Sequence, residues 1–245
     1  MENKQSNLIT ISSKFYMDYT LNMLTSLKNL GLDNKINTYC LDNDSYKEIS
    51  SNGFNAEEVK IDFDIVKNPT HYGTKDFNIF MYYKVKVIKS ELKNNKFVTY
   101  TDGDVVFKKP FDDIYKDSNK HDLISVKDFH VKNPGKTSIC AGFMVLKSNF
   151  KTKYLFNPNT ISKNNFEIHD QEIINSKKKW ISYKYLDHES FCNGSYFLEN
   201  SEKLDPVLIH FNYIVGDDKK EIMKDQNCWY IWSKKKFIIF KNDQK

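Results

Sequence analysis

Arginine is absent from this chain: all 37 of its basic residues are lysine. An anion bound here therefore meets ammonium point charges, backbone N–H groups or a metal ion, not a bidentate guanidinium fork. Cysteine is scarce. Cys40, Cys140, Cys192 and Cys228 lie far apart and form no CxxC pair. That excludes a zinc knuckle and points to free thiols in a reducing compartment. No apolar run reaches membrane-spanning length, and the segment MENKQSNLITISS has no apolar core of the signal-peptide kind. Internal repeats and long linkers are missing too. The expectation from these absences is a soluble, cytoplasmic protein. The net charge is only +5, with acidic residues dispersed among basic ones, so no nucleic-acid partner is expected.

What is present is apolar and aromatic. Hydrophobic residues make up 40% of the 245, enough for a large core without staples. The 18 Phe, 15 Tyr and 3 Trp must largely pack, and an aromatic surplus also suits a sugar or base platform. Leu8 to Ile11 reads as a short strand. Met17, Leu21, Leu24 and Leu27 recur at three or four, which marks an amphipathic helix stopped by Gly31. KINTYCLD is a second strand, NDSYKEISSNG a short helix and AEEVKID a third strand. Asn68 to Gly73, with Pro69, reads as a loop. From Asp76, a stripe of Phe77, Phe80, Met81, Ile88 and Leu92 predicts a long helix. The apolar run Phe97–Tyr100 follows as a strand that ends at Asp102. This alternation predicts an α/β fold with a mostly parallel, doubly wound central sheet flanked by helices. Beyond Pro110 the pattern is mixed and more irregular. HDLISVKD, SICAGFMVLKS, KWISYKYLD, SYFLEN and PVLIHFNYIVG read as strands, and HDQEIINSKKK reads as a helix.

In doubly wound sheets, ligands bind beyond the carboxyl ends of the strands. Asp102 and Asp104 stand at such an end, with only Gly103 between them. Two like charges side by side at the end of a core strand are unfavourable without a cation or partner. An Asp-X-Asp pair can share one divalent ion, and its oxygen ligands select Mg²⁺, Mn²⁺ or Ca²⁺. Lys84 lies on the apolar side of its helix, where an ammonium is costly unless it meets an anion.

The stretch VTYTDGDVVFKKP resembles the metal-binding motif of GT-A-fold glycosyltransferases. It is most similar to the nucleotide-diphospho-sugar transferase family that includes the plant xylosyltransferase-like group. Further segments resemble that family in order: TLNMLTSLKNLGLDNKINTYCLDNDSY, FMYYKVKVIKSEL, CAGFMVLKS, HDQEIIN, LDHESFCNGSYF and HFNYIVGDDKKEIMK. The resemblance spans about Leu8 to Lys224. One departure is Cys140-Ala141, which replaces a polar Asn-Ser of the family.

The resemblance implies a GT-A (Rossmann-like) domain over residues 1–245. Residues 1–110 would form a nucleotide-binding half and 111–245 a sugar and acceptor half. It implies a metal-dependent glycosyltransferase that moves a sugar from a nucleotide-diphosphate sugar, by analogy a UDP-sugar, with retention of anomeric configuration. Metal ligands would be Asp102, Asp104 and His210, holding Mn²⁺ or Mg²⁺, the imidazole suiting Mn²⁺ somewhat better. Donor contacts would come from Thr10, Ser12, Asp42, Lys84, Asp102, Gly103, Gly216, Lys219 and Lys220, with Lys224 close by. Asp170 and Gln171 would stand at the reacting centre. The acceptor would be a glycan, a protein or a small molecule. The tail CWYIWSKKKFIIF, with three consecutive lysines among aromatics, offers a peripheral membrane contact.

Two other readings fit parts of the pattern. TYTDGDVV and IVGDD resemble motifs of haloacid-dehalogenase-type phosphatases, in which Asp102 would be the phosphorylated nucleophile. The motif would then sit nearly 100 residues too late, and Val105-Val106 would replace the usual Gly-Thr. A non-catalytic nucleotide- or glycan-binding module would keep the fold and lack turnover.

Overall fold

The computed structural model describes residues 7–62, 72–214 and 218–231. Its first half alternates as the sequence predicts: β1 (Asn7–Ser12), α1 (Met17–Asn29), β2 (Ile36–Cys40), α2 (Asn43–Ser51), β3 (Ala56–Glu58), α3 (Lys75–Asn94) and β4 (Phe97–Thr101). Then come β5 (Val105–Phe107), β6 (Leu123–Asp128), β7 (Ser138–Lys147), α4 (Phe150–Leu155), α5 (Asn159–Ser162) and α6 (Asp170–Ser176). The chain continues through β8 (Tyr183–Tyr185), β9 (Phe191–Asn193), α7 (Gly194–Asn200), β10 (Leu208–His210) and α8 (Asp218–Asp225).

Among the described residues, seven strands form the central sheet in the order β3-β2-β1-β4-β7-β6-β8. β1 pairs in parallel with β2 and β4, β2 with β3, and β6 with β8. Only β7 runs antiparallel, between β4 and β6. The expected mostly parallel sheet flanked by helices is therefore present. β4 has neighbours on both edges and all five of its residues are buried, so it reads as a continuous apolar run. One face, with Ile9, Ile11, Val98 and Tyr100, packs against α3 through Val85, Ile88 and Leu92. The other, with Leu8, Ile36 and Val145, packs against α1 through Leu21, Leu24 and Leu27. Each such side chain contributes about 1.5–3 kcal/mol when fully buried.

A second, three-stranded sheet in the order β5-β10-β9 hangs from the end of β4. Its apolar side, with Val106, Ile209 and Phe211, packs on Phe197, Met223 and Trp229. Here the sequence expectations need correction. SYFLEN, read as a strand, is the helix α7, because the Asn193 side chain accepts from Tyr196 N at 2.9 Å and caps it. Among its described residues, PVLIHFNYIVG is a strand over Leu208–His210; Asn212 N turns back onto His210 O, and Tyr213 adopts a left-handed φ of 65°. KWISYKYLD is a strand only over Tyr183–Tyr185, since Lys178–Trp180 forms a 3₁₀ turn. Much of the loop expected at Asn68–Gly73, Gly216, and the tail beyond Ile231 lie outside the described residues. No helix among the described residues is long and apolar enough to cross a membrane.

Candidate metal centre

Asp102-Gly103-Asp104 is the link between the two sheets. Asp102 N donates to Gly142 O at 2.7 Å, which ties the link to β7. Gly103 passes so close to α1 that a Cβ there would lie 2.6 Å from Thr20 Oγ1 and 3.2 Å from Thr20 N, so only glycine fits without displacement. β10 then pairs antiparallel with β5, placing His210 opposite Val105. Phe211 N donates to Asp104 O at 3.0 Å and fixes that register. As a result His210 Nε2 lies 3.2 Å from Asp104 Oδ1 and 3.8 Å from Asp102 Oδ2. One ligand atom from each of Asp102, Asp104 and His210 falls within 4.8 Å of the others.

The donor set fits a divalent cation: two carboxylates and an imidazole converge, and the carboxylates keep 27% and 19% side-chain exposure toward a ligand. Other charges also hold the cluster together. Lys219 Nζ lies 2.5 Å from Asp104 Oδ2. Burial opposes the charge of Asp104, but Lys219 and His210 outweigh it and hold the carboxyl well below the usual range. Burial likewise opposes a charged His210, and Cys140 and Asp104 overcome it, raising the imidazole above its ordinary value.

Lys84 is the second hub. It is 1% exposed, and Nζ sits 3.0 Å from Asp102 Oδ1 and 2.8 Å from Asp170 Oδ2. It also donates to Ala141 O at 2.9 Å and lies 4.4 Å from the centroid of the Tyr100 ring. Tyr100 OH donates to the same Asp102 oxygen at 2.7 Å. Burial disfavours the ammonium, yet Asp102 and Asp170 raise its pKa. In return, although burial opposes its charge, Lys84 draws Asp170 down to about 2, with a hydrogen bond from His169 adding to the effect. Lys84 thus joins the metal cluster to the first residue of α6. The next residue, Gln171, is held at both ends: Oε1 accepts from Ala141 N at 3.0 Å and Nε2 donates to Asp128 Oδ2 at 2.8 Å. Asp128 also accepts from Asn212 Nδ2 at 2.9 Å.

The structure therefore brings Asp102, Gly103, Asp104, His210, Lys84, Asp170, Gln171 and Lys219 into one constellation. The other described candidates are placed differently. Thr10 and Ser12 are fully enclosed; Ser12 Oγ donates to Thr20 Oγ1 at 3.0 Å, and Thr10 Oγ1 has no partner among the described residues. Asp42 caps α2 through Ser45 N and accepts from Lys14 N, both at 2.8 Å. Lys220 pairs with Asp18 at 2.9 Å and lies over the Trp229 ring. Sequence reasoning missed Tyr100, Asp128, Asn212 and the contact between Cys140 and His210. Asp128 carried a usable signal, being a carboxylate at the end of an apolar strand like Asp102.

The fold is of the GT-A type, and the cluster of acids, imidazole and lysines stands at the carboxyl end of its central strand β4. The chain belongs to the nucleotide-diphospho-sugar transferase family, whose sequence profile matches residues 31–223. That membership sets the phosphatase reading aside. UDP-galactose:fucoside alpha-3-galactosyltransferase of Dictyostelium discoideum is 26% identical over 93% of this chain and 44% of its own length. The chain thus spans less than half of that relative. Among solved structures, the galactosyltransferase LgtC, in complex with donor and acceptor sugar analogs, shares the fold at a TM-score of 0.61 and 11% identity, covering 93% of this chain and 98% of LgtC. The glycosyltransferase GlyE of Streptococcus pneumoniae reaches 0.56 at 17% identity over 94% and 62% of the two chains. Mouse xyloside xylosyltransferase 1 reaches 0.52 at 12% identity over 86% and 99%.

Proposed function

We propose that this chain transfers a sugar from a nucleotide-diphosphate sugar to a glycan, protein or small-molecule acceptor, with divalent-metal assistance and retention of anomeric configuration. The observation that carries this reading is the convergence of Asp102, Asp104 and His210 within 4.8 Å, beside the buried Lys84–Asp170 pair. A Mn²⁺ or Mg²⁺ ion held by those three residues would offset the charge that develops on the departing diphosphate. UDP as the nucleotide rests on the Dictyostelium relative, whose name carries UDP-galactose.

The protein's own groups take distinct parts. Lys219, now paired with Asp104, supplies a positive charge to the diphosphate. Asp170 stays ionised because Lys84 compensates it, so it can stabilise positive charge at the anomeric carbon. Gln171, fixed at both ends, orients Asp170 and the sugar rather than moving with them. Lys84 donates to Asp102 and Ala141 and pairs with Asp170, so it acts on the donor through those carboxylates. Since the hydroxyls of Thr10 and Ser12 are enclosed, the end of β1 contacts the nucleotide through backbone groups. Asp42 shapes the adjoining loop.

A donor screen tests the proposal: hydrolysis of UDP- and GDP-sugars, with and without Mn²⁺, and then transfer to candidate acceptors. Metal-stimulated release of UDP from one sugar nucleotide is the expected result. Metal-dependent UDP binding without any turnover across the panel would assign the chain to the binding-module reading instead.

A further inference from the structure

The imidazole of His210 is seated by two residues of β7 that are not themselves ligands. Gly142 lies flat beneath the ring: a Cβ there would stand 2.1 Å from His210 Cε1 and 2.6 Å from Nε2. Cys140, two residues earlier and fully buried, places Sγ 3.2 Å from His210 Nδ1. The same sulfur accepts from Gly142 N at 3.4 Å. Sγ therefore stands in an acceptor position, with a backbone N–H already directed at it. On the other side of the ring, Nε2 faces the carboxylates of Asp104 and Asp102.

These contacts bear on which nitrogen of His210 can bind a metal. An imidazole that ligates through Nε2 must present a lone pair there, so its one proton belongs on Nδ1. A proton on Nδ1 needs an acceptor, because the site is closed to water on this side, His210 being 5% exposed. Cys140 Sγ is the partner the structure gives it. We propose that Cys140 is a positioning residue for the metal centre: its sulfur accepts the Nδ1 proton of His210, fixes the ring's tautomer and orientation, and so presents Nε2 to the ion. The proposal rests on the metal-site reading of Asp102, Asp104 and His210. It also gives a use to the first of the two residues, Cys140-Ala141, that stand where the resembled family has a polar pair. A thiol sulfur is a weaker acceptor than an amide oxygen, yet it packs without cost in the apolar cluster around Phe143 and Val145.

The test compares Cys140→Ala with Cys140→Ser in the full chain, with Mn²⁺ affinity read by electron paramagnetic resonance in the absence of any nucleotide. Alanine removes both the sulfur volume and the acceptor, whereas serine removes a similar volume and keeps an acceptor. A cavity effect therefore strikes both variants, and an acceptor effect strikes alanine alone. Loss of an outer-shell partner commonly weakens metal binding about 10–100-fold. We expect a loss of that order in Cys140→Ala and an affinity within about threefold of wild type in Cys140→Ser. Equal affinities in all three proteins, or equal losses in both variants, would overturn the proposal. A second measurement needs no variant to fold. In ¹⁵N-histidine-labelled wild type loaded with Mg²⁺, Nδ1 of His210 should carry the proton and Nε2 should not; the opposite tautomer would refute the assignment. If the wild type binds neither ion, the metal-site reading itself fails and takes the proposal with it. That outcome is distinct from a wild type that binds tightly and an alanine variant that binds just as well.

Discussion

Lys84 bears more of the site than any other single residue. Its ammonium is sealed from water and stands between two carboxylates, so removing it leaves the buried Asp170 and the partly buried Asp102 without that compensation. Breaking a buried pair in this way costs about 3–5 kcal/mol. Lys84→Met should lower the unfolding free energy by that amount in urea titrations, and a loss under about 1 kcal/mol would show that the pair is solvated. Asp170 gives the matching pH dependence. Its folded pKa, about 2, lies below its ordinary value of 3.8. The sign follows: the stabilisation is present above the unfolded value and is lost as pH falls through about 2. Its size is on the order of 2 kcal/mol. The stability gap between wild type and Asp170→Asn should therefore be full at pH 7 and narrow between pH ~4 and ~2; a gap constant over that window would contradict the pairing. Gly142→Ala is the third probe at this scale. The added methyl occupies the seat of the His210 ring, so Mn²⁺ affinity should drop at least about tenfold while Asp102 and Asp104 remain. What could be read at residue scale divides along the same lines. Asp102 and Asp104 were legible because carboxylates at the end of a core strand are costly without a partner, and Lys84 because it interrupts an apolar stripe. His210 needed the family resemblance, since a histidine after an apolar run is ordinarily a core residue. The Cys140–His210 contact joins positions 70 apart and leaves no mark in any local pattern.

At the scale of elements, α3 is the device that carries Lys84 into the core. The Thr74 side chain accepts from Phe77 N at 3.2 Å and starts the helix. The apolar stripe predicted from the sequence then sets its rotation against β1 and β4. Thr74→Ala should cost about 1 kcal/mol of stability. It should leave Mn²⁺ affinity unchanged, because Lys84 lies well inside the helix; a parallel fall in affinity would mean that the first turn also shapes the site. The elements misread from sequence are short. SYFLEN holds three consecutive apolar residues, Tyr196 to Leu198, like a short buried strand, but a six-residue run carries too little periodicity to separate the two structures. Its helical state is decided by the Asn193 cap and by Gly194, where a Cβ would stand 2.3 Å from Asn212 O. The cap is local, whereas the close approach at Gly194 emerges only once β9 and β10 lie side by side.

For the whole molecule, the division of labour follows the two sheets. The seven-stranded sheet and its helices position Asp102, Lys84 and the α6 residues, and the three-stranded sheet brings His210 to meet them. The strand–helix alternation of the first half made the large sheet readable, because parallel strands buried on both faces appear as continuous apolar runs. The small sheet has three-residue strands whose pairing is set by long-range contacts, which a single sequence does not display. The centre thus depends on the junction between a legible half and an illegible one, at Asp102-Gly103-Asp104. The most direct test of that centre is calorimetric binding of UDP to wild type and to Asp104→Asn, each with Mn²⁺ and with a chelator. In wild type, we expect Mn²⁺ to tighten UDP binding at least about tenfold, and in Asp104→Asn to have little effect while the melting transition stays cooperative. UDP binding that is equally tight with the chelator, or metal enhancement that survives in the variant, would contradict a metal-bridged diphosphate at this site.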